Sequence, residues 1–185
     1  MINSPDELIL GYHDDGTPIK LLTRREIHEK GILHHTVHLW IINPHNELLL
    51  QKRSLSKDTF PGLWDISAAG HIEGHDSAID SVIREAHEEL GLPLNRENIT
   101  LIGTVNNLTR HPNSKIIDQE QSFVYLTICS WPIEKFCFEQ KEIDSLRFLR
   151  WDKFQREIEC KKPQFVPHQE EYQLLFRFLK NEKNL

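Results

Sequence analysis

The segment GHIEGHDSAIDSVIREAHEELGL, Gly70 to Leu92, constrains this chain more than any other part of it. Asp76 or Ser77 is a suitable N-cap, and Gly91 with Pro93 shortly after is a strong helix stop. Between them Ile79, Val82, Ile83, Ala86 and Leu90 recur at helical spacing and mark one buried face. Glu85 and Glu89 then stack one turn apart on the flank of that face, with Glu88 close to both. Electrostatically these acids stand at the wrong end of a helix. Each like-charge pair costs on the order of 0.2–0.5 kcal/mol. Each acid near the negative end of the helix dipole costs roughly another 0.3–1 kcal/mol. Arg84 relieves only part of this. Two readings stay open on spacing alone: a solvated acidic face, or carboxylates converging on a hard cation such as Mg²⁺ or Mn²⁺.

The rest of the chain reads as strands interleaved with helices. Glu7–Tyr12 and Pro18–Leu22 form a hairpin around Asp15-Gly16. Thr23 with Glu26 is a capping box, so a short helix runs to Lys30 and stops at Gly31. Leu33–Ile42 turns at 43–46 and returns as Glu47–Lys52. Both strands are apolar on more than alternate positions, which suits a sheet covered on both faces. Further strands are expected at Leu63–Ser67, Ile99–Asn106, Gln121–Ser130 and Leu146–Trp151, with a polar loop from Asn107 to Gln119 that carries Pro112. Asp152–Cys160 and Pro167–Lys180 read as helices. The class is an α/β sandwich.

With the Gly70–Leu92 segment quoted in full, it resembles the Nudix box, G-x5-E-x7-R-E-U-x-E-E-x-G-U with U apolar. The matching positions are Gly70, Asp76 in place of the first Glu, Arg84, Glu85, Ala86, Glu88, Glu89, Gly91 and Leu92. The resemblance implies a Nudix-type α/β/α sandwich with a mixed β-sheet. It also implies hydrolysis of a diphosphate linked to another moiety. Mg²⁺ (or Mn²⁺) would be held by Glu85, Glu88 and Glu89 with a backbone carbonyl near Ala69 or Gly70. Such an ion lowers the pKa of a bound water that attacks phosphorus. One of these glutamates, or Glu120, takes the proton, and Arg84 holds the glutamates in position. Asp76 is a methylene shorter than Glu, so any salt bridge from it to Arg84 must adjust.

The stretch LLLQKRSLSKDTFPGLWDISAAGH is similar to the branch containing isopentenyl diphosphate isomerase. That enzyme needs a catalytic cysteine immediately before the Gly-His that here is Gly70-His71, and the residue in that place is Ala69. The branch also implies a second metal site, with candidates His28, His34 or His35, His71, Asp118 and Glu120. His34, His35 and His38 also read as ordinary strand-end histidines. Lys52, Arg53 and Lys57 are candidates for the substrate diphosphate, or plain surface cations. Trp40, Phe60 and Trp64 are stacking candidates, or core. Cys129 alternates with apolar neighbours and reads as packing.

The chain of 185 residues is expected to form one Nudix domain. Within it, 1–31 would be the N-terminal hairpin and short helix, 32–160 the core and 161–185 a C-terminal helix. The acidic start lacks the basic and apolar stretches of a signal peptide. Three cysteines without a CxxC pair suit a reduced cytoplasm. A net charge of -6 argues against nucleic acid, and no apolar run suits a membrane. The expected partner is a small-molecule diphosphate, with a homodimer through the N-terminal hairpin left open. Three functions remain in play: a Mg²⁺-dependent diphosphate hydrolase, an isomerase of isopentenyl diphosphate, and a non-catalytic diphosphate-binding module.

Overall fold

Strand β3, Leu33–Ile42, is the axis of the fold in a computed structural model that describes residues 7–111 and 116–181. It runs parallel to β8, Ile117–Ile128, over its whole length from His34↔Glu120 to Ile42↔Ile128. Its other edge is shared by three short partners. β1 (Leu8–Tyr12) pairs at the start, β6 (Ala68–His71) in the middle and β4 (Glu47–Arg53) at the end. Outside these lie β2 (Pro18–Thr23) on β1, β7 (Ile99–Arg110) on β8, and β5 (Trp64–Asp65) and β9 (Ile143–Arg150) on β4. The result is one mixed sheet of nine strands among the described residues.

Side chains of β3 alternate between two cores. Val37, Leu39 and Ile41 pack with Val82, Ala86 and Leu90 of α2, Ala78–Leu90. Trp40 and Ile42 pack with Phe154 of α3 (Trp151–Glu159) and Leu175, Phe176 and Leu179 of α4 (Gln169–Asn181). A strand buried on both faces needs apolar residues at nearly every position, which is why the period-2 signal is blurred in VHLWII, residues 37–42. Helices on both faces complete the α/β/α sandwich. The caps follow the sequence. Ser77 accepts from the Asp80 amide, and Gly91 sits at φ 64, where a side chain would be strained. Thr23 and Glu26 form both halves of the capping box on α1, Arg24–Lys30.

Several expectations change. β3 and β4 read as a simple hairpin, yet they pair only at Ile42↔Leu48 and then diverge. The expected strand Leu63–Ser67 shortens to β5, which pairs with β4, and β6 follows beyond it on β3, so the two bridge the opening. Of the polar stretch 107–119, expected as a loop, 107–110 and 117–119 are strand. β7 continues to Arg110 and β8 starts at Ile117, because cross-strand pairing from Asn107↔Glu120 to Arg110↔Ile117 overrides the polar composition. Pro112 lies outside the described residues. β9 starts three residues earlier than expected and ends at Arg150, with Trp151 opening α3.

Candidate active site

The divergence of β3 from β4 opens a cavity of about 160 Å³. Its walls include Thr36 and His38 from β3, Gln51 and Arg53 from β4, and Ala69, Gly70 and His71 from β6. Glu89, Glu120, Asp118, Lys57 and His168 belong to the polar lining as well. The two candidate ion sites meet at Gly70-His71.

On one side are the α2 acids. Glu85 lies against Gly70 so closely that a Cβ there would collide with its carboxylate, so the position requires glycine. Arg84 reaches Glu85 at 2.7 Å and Glu88 at 3.2 Å, and donates to the His71 carbonyl at 3.0 Å. Its remaining partner is Glu73 at 3.1 Å. Asp76, expected to face Arg84, is exposed at the turn before α2, and Glu73 takes that place. Glu89 turns into the cavity, where the Ala69 amide and the Gln51 side chain both donate to it at 3.2 Å. Burial pushes Glu85 up to about 8, with Glu89 and Glu88 adding to the shift against Arg84. Burial likewise raises Glu89 to about 7, opposed by Lys57. Buried carboxylates short of positive charge are the donor set a hard divalent cation fits.

On the other side are the histidines. Pairing places His34 beside Glu120 and Thr36 beside His71, and α1 supplies His28. One ligand atom from each of His28, His34, His71 and Glu120 lies within 4.8 Å of the others. Every imidazole is held by its Nδ1: His28 on the Arg24 carbonyl at 2.7 Å, His34 on the Ile32 carbonyl at 2.9 Å, His71 on Glu7 at 3.0 Å. That leaves three Nε2 atoms for the centre, the arrangement that fixes tautomer and aim in histidine metal sites. His34 Nε2 is buried with no hydrogen-bond partner among the described residues, and stands 3.6 Å from Glu120. An orphaned acceptor of this kind fits an ion. Burial and the charges of His71 and His34 lower His28 to about 3, so it is a neutral ligand. Burial opposes ionisation of Glu120, but the adjacent His34 outweighs it and holds the carboxylate at about 2. Asp118 sits one step out, 3.4 Å from His28 and 2.7 Å from His111. His35 points elsewhere and stacks on Tyr12 at 3.9 Å.

Strand alternation separates Lys52 from Arg53 on β4, and Lys57 follows in the loop beyond it. Arg53 lines the cavity, clamped by Asp65 at 2.9 Å and by the Thr59 carbonyl and hydroxyl at 2.9 and 3.0 Å. Lys57 lines it too, in contact with Glu142. Lys52 falls on the opposite face, pairs with exposed Asp144 at 3.1 Å and is not part of the lining. Of the aromatics, Trp40 is core, and Trp64 stacks under the Arg147 guanidinium at 3.9 Å. Phe60 reaches the cavity mouth and meets His111 edge-on at 5.2 Å. None of Cys129, Cys137 and Cys160 lines the cavity. Sequence reasoning missed Glu7, Glu73, Asp65, His168 and Glu171, and read His38 only as a strand-end histidine. Only His38 carried a signal, four residues beyond His34 on the same face of one strand.

The NUDIX domain family model matches residues 32–176. The chain is 34% identical over 148 residues to Nudix hydrolase 3 of Arabidopsis thaliana, covering 78% of this chain and 19% of that one. It is 37% identical over 87 residues to an isopentenyl-diphosphate Delta-isomerase of Corynebacterium glutamicum, 46% of each chain. The match thus spans about a fifth of one relative and about half of the other. A crystal structure from Deinococcus radiodurans superposes with TM-score 0.69 at 17% identity, covering 90% of this chain and 98% of that one.

Proposed function

Because the chain belongs to the NUDIX family, we propose that it is a Mg²⁺- or Mn²⁺-dependent hydrolase of a small-molecule diphosphate linked to another moiety. The observation that carries this reading is the complete Arg84, Glu85, Glu88, Glu89 set, with Glu89 turned into a cavity that also holds Arg53 and Lys57. Glu85, Glu88, Glu89 and the Gly70 carbonyl would hold the ion. When bound, it neutralises the diphosphate and acidifies a water for attack on phosphorus. Arg84 orients Glu85 and Glu88 and touches the His71 carbonyl rather than the cavity. Arg53 and Lys57 bind the anionic substrate. Glu89 and Glu120, both in the lining, are the carboxylates positioned to take the proton. His28, His34, His71 and Glu120 would hold a second, softer ion such as Mn²⁺, with Asp118 beside them.

The isomerase reading lacks its cysteine: Ala69 stands in its place, and no other thiol reaches the cavity. We read the chain as a single domain. Two observations support that reading: β1 pairs with β3, and α4 packs over the sheet. No helix among the described residues is long and apolar enough to cross a membrane. The three free cysteines and the net charge of -6 suit a cytoplasmic enzyme without a nucleic-acid partner. The test is a panel of nucleoside, sugar, dinucleotide and prenyl diphosphates, assayed with and without Mg²⁺. Release of monophosphate or phosphate only with metal is the expected result. Deuterium entering isopentenyl diphosphate from heavy water without phosphate release would overturn it in favour of isomerisation.

A further inference from the structure

The floor of the cavity carries a buried charge network that the metal sites do not use. His38 is 7% exposed and belongs to the lining. Its Nδ1 contacts Glu171 Oε2 at 2.7 Å, and Glu171, 2% exposed, takes a second hydrogen bond from Trp40 Nε1 at 2.8 Å. Beside it, at 5.5 Å between rings, His168 contacts Asp65 Oδ1 at 2.8 Å, and Asp65 Oδ2 accepts from Arg53. Two carboxylate–imidazole pairs therefore stand side by side where α4 begins.

Helix α4 does not need them to dock. Tyr172, Leu175, Phe176 and Leu179 already bury its apolar face. Desolvating a carboxylate and an imidazole together is costly, and a well-packed apolar pair serves stability as well or better. Such a pair facing a cleft is the pattern expected where the imidazole does work. The buried Glu171 carboxylate on Nδ1 favours the protonated ring, and no hydrogen bond among the described residues takes up Nε2. Nε2–H is the polar atom left to the cavity.

We propose that His38 contacts the substrate: its Nε2–H donates to the diphosphate held by Arg53 and Lys57, with Glu171 and Trp40 as positioning residues. This rests on the diphosphate reading above. It makes α4 part of the site, since one end of the relay is on that helix and the other in the cavity.

The test uses the whole chain, inorganic pyrophosphate and Mg²⁺. In ¹⁵N-histidine spectra of the unmodified protein, pyrophosphate should shift the His38 Nε2 resonance, and Glu171→Gln should abolish that shift. His38→Asn keeps an amide near the Nδ1 position for Glu171 but removes the donor at Nε2. It should bind pyrophosphate about tenfold more weakly by calorimetry, while His38→Gln recovers part of the loss. No shift of His38, no binding by the unmodified protein, or unchanged affinity in His38→Asn each overturns the contact. If His38→Asn does not fold, the shift in the unmodified protein decides. A His38 shift without turnover of any diphosphate in the panel would uphold the contact and sink the hydrolase reading instead.

Discussion

The α2 acids and the histidine cluster meet at Gly70-His71, yet they are assembled in opposite ways. Arg84, Glu85, Glu88 and Glu89 come from six consecutive residues of one helix. Helical periodicity converges them, and their cost is visible as like charge at a helix C-terminus. The histidine set comes from α1, β3, β6 and β8, and no two of its members are within five residues in the chain. Its cost is hidden: an unpartnered Nε2 on His34 and a histidine pressed to about 3 at His28. A local site declares itself through electrostatic misfit. A distributed site declares itself only when strand pairing has brought its parts together.

That contrast can be broken by depleting each region separately. Glu89→Gln should lower metal-dependent hydrolysis by about 10²–10⁴-fold, the largest effect expected. Its melting temperature should hold or rise, because a buried carboxylate raised to about 7 has been removed. A drop of many degrees would make Glu89 structural instead. His34→Gln should empty the histidine site while leaving Mg²⁺ binding at the acids intact. Metal content by mass spectrometry, compared with Glu89→Gln, decides the point: if either change empties both sites, the two regions are one. Glu7→Gln should weaken transition-metal affinity by about 10–100-fold, since Glu7 holds His71 by Nδ1. Competition with a chelator measures it, and unchanged affinity would reduce Glu7 to a surface contact.

The floor of the cavity predicts a smaller, pH-dependent effect. Burial works against a charged His38, but Glu171 outweighs it and raises the group from 6.5 to about 9. A raised histidine contributes stability that is complete below its unfolded value of about 6.5 and is lost as pH rises through about 9. Melting curves should show this decline between those values, and Glu171→Gln should flatten it. Parallel curves for both proteins would remove the ion pair from the account. Smallest of all, Lys52→Ala should leave turnover and melting temperature almost unchanged, because its ion pair with Asp144 is exposed. A clear loss of substrate affinity would mean that β4 presents its other face to the ligand.

Much of the fold was legible. The caps at Thr23 and Ser77, the stops at Gly31 and Gly91 and the span of β3 all rest on local rules. Three features failed for one shared reason. The extension of β7 and β8 through a polar stretch, the early start of β9 and the shortening of Leu63–Ser67 to β5 are set by which strand lies alongside. In the site, Arg84 pairs with Glu73, while Asp76 lies exposed just before the Ser77 cap of α2. Lys52 and Arg53 are neighbours of one charge type, and only the pleat separates the one in the cavity from the one outside it.

By itself the sequence determined the helix of glutamates, the two-sided burial of β3 and the alanine at 69, because each is a matter of residue type at short spacing. Tertiary structure alone decided that β3 and β4 diverge, that His28, His34, His71 and Glu120 converge, and that Glu171 reaches back across 133 positions to His38. Those outcomes depend on backbone pairing and packing between distant segments, and no local pattern of residues encodes the energy of a partner that is far away in the chain.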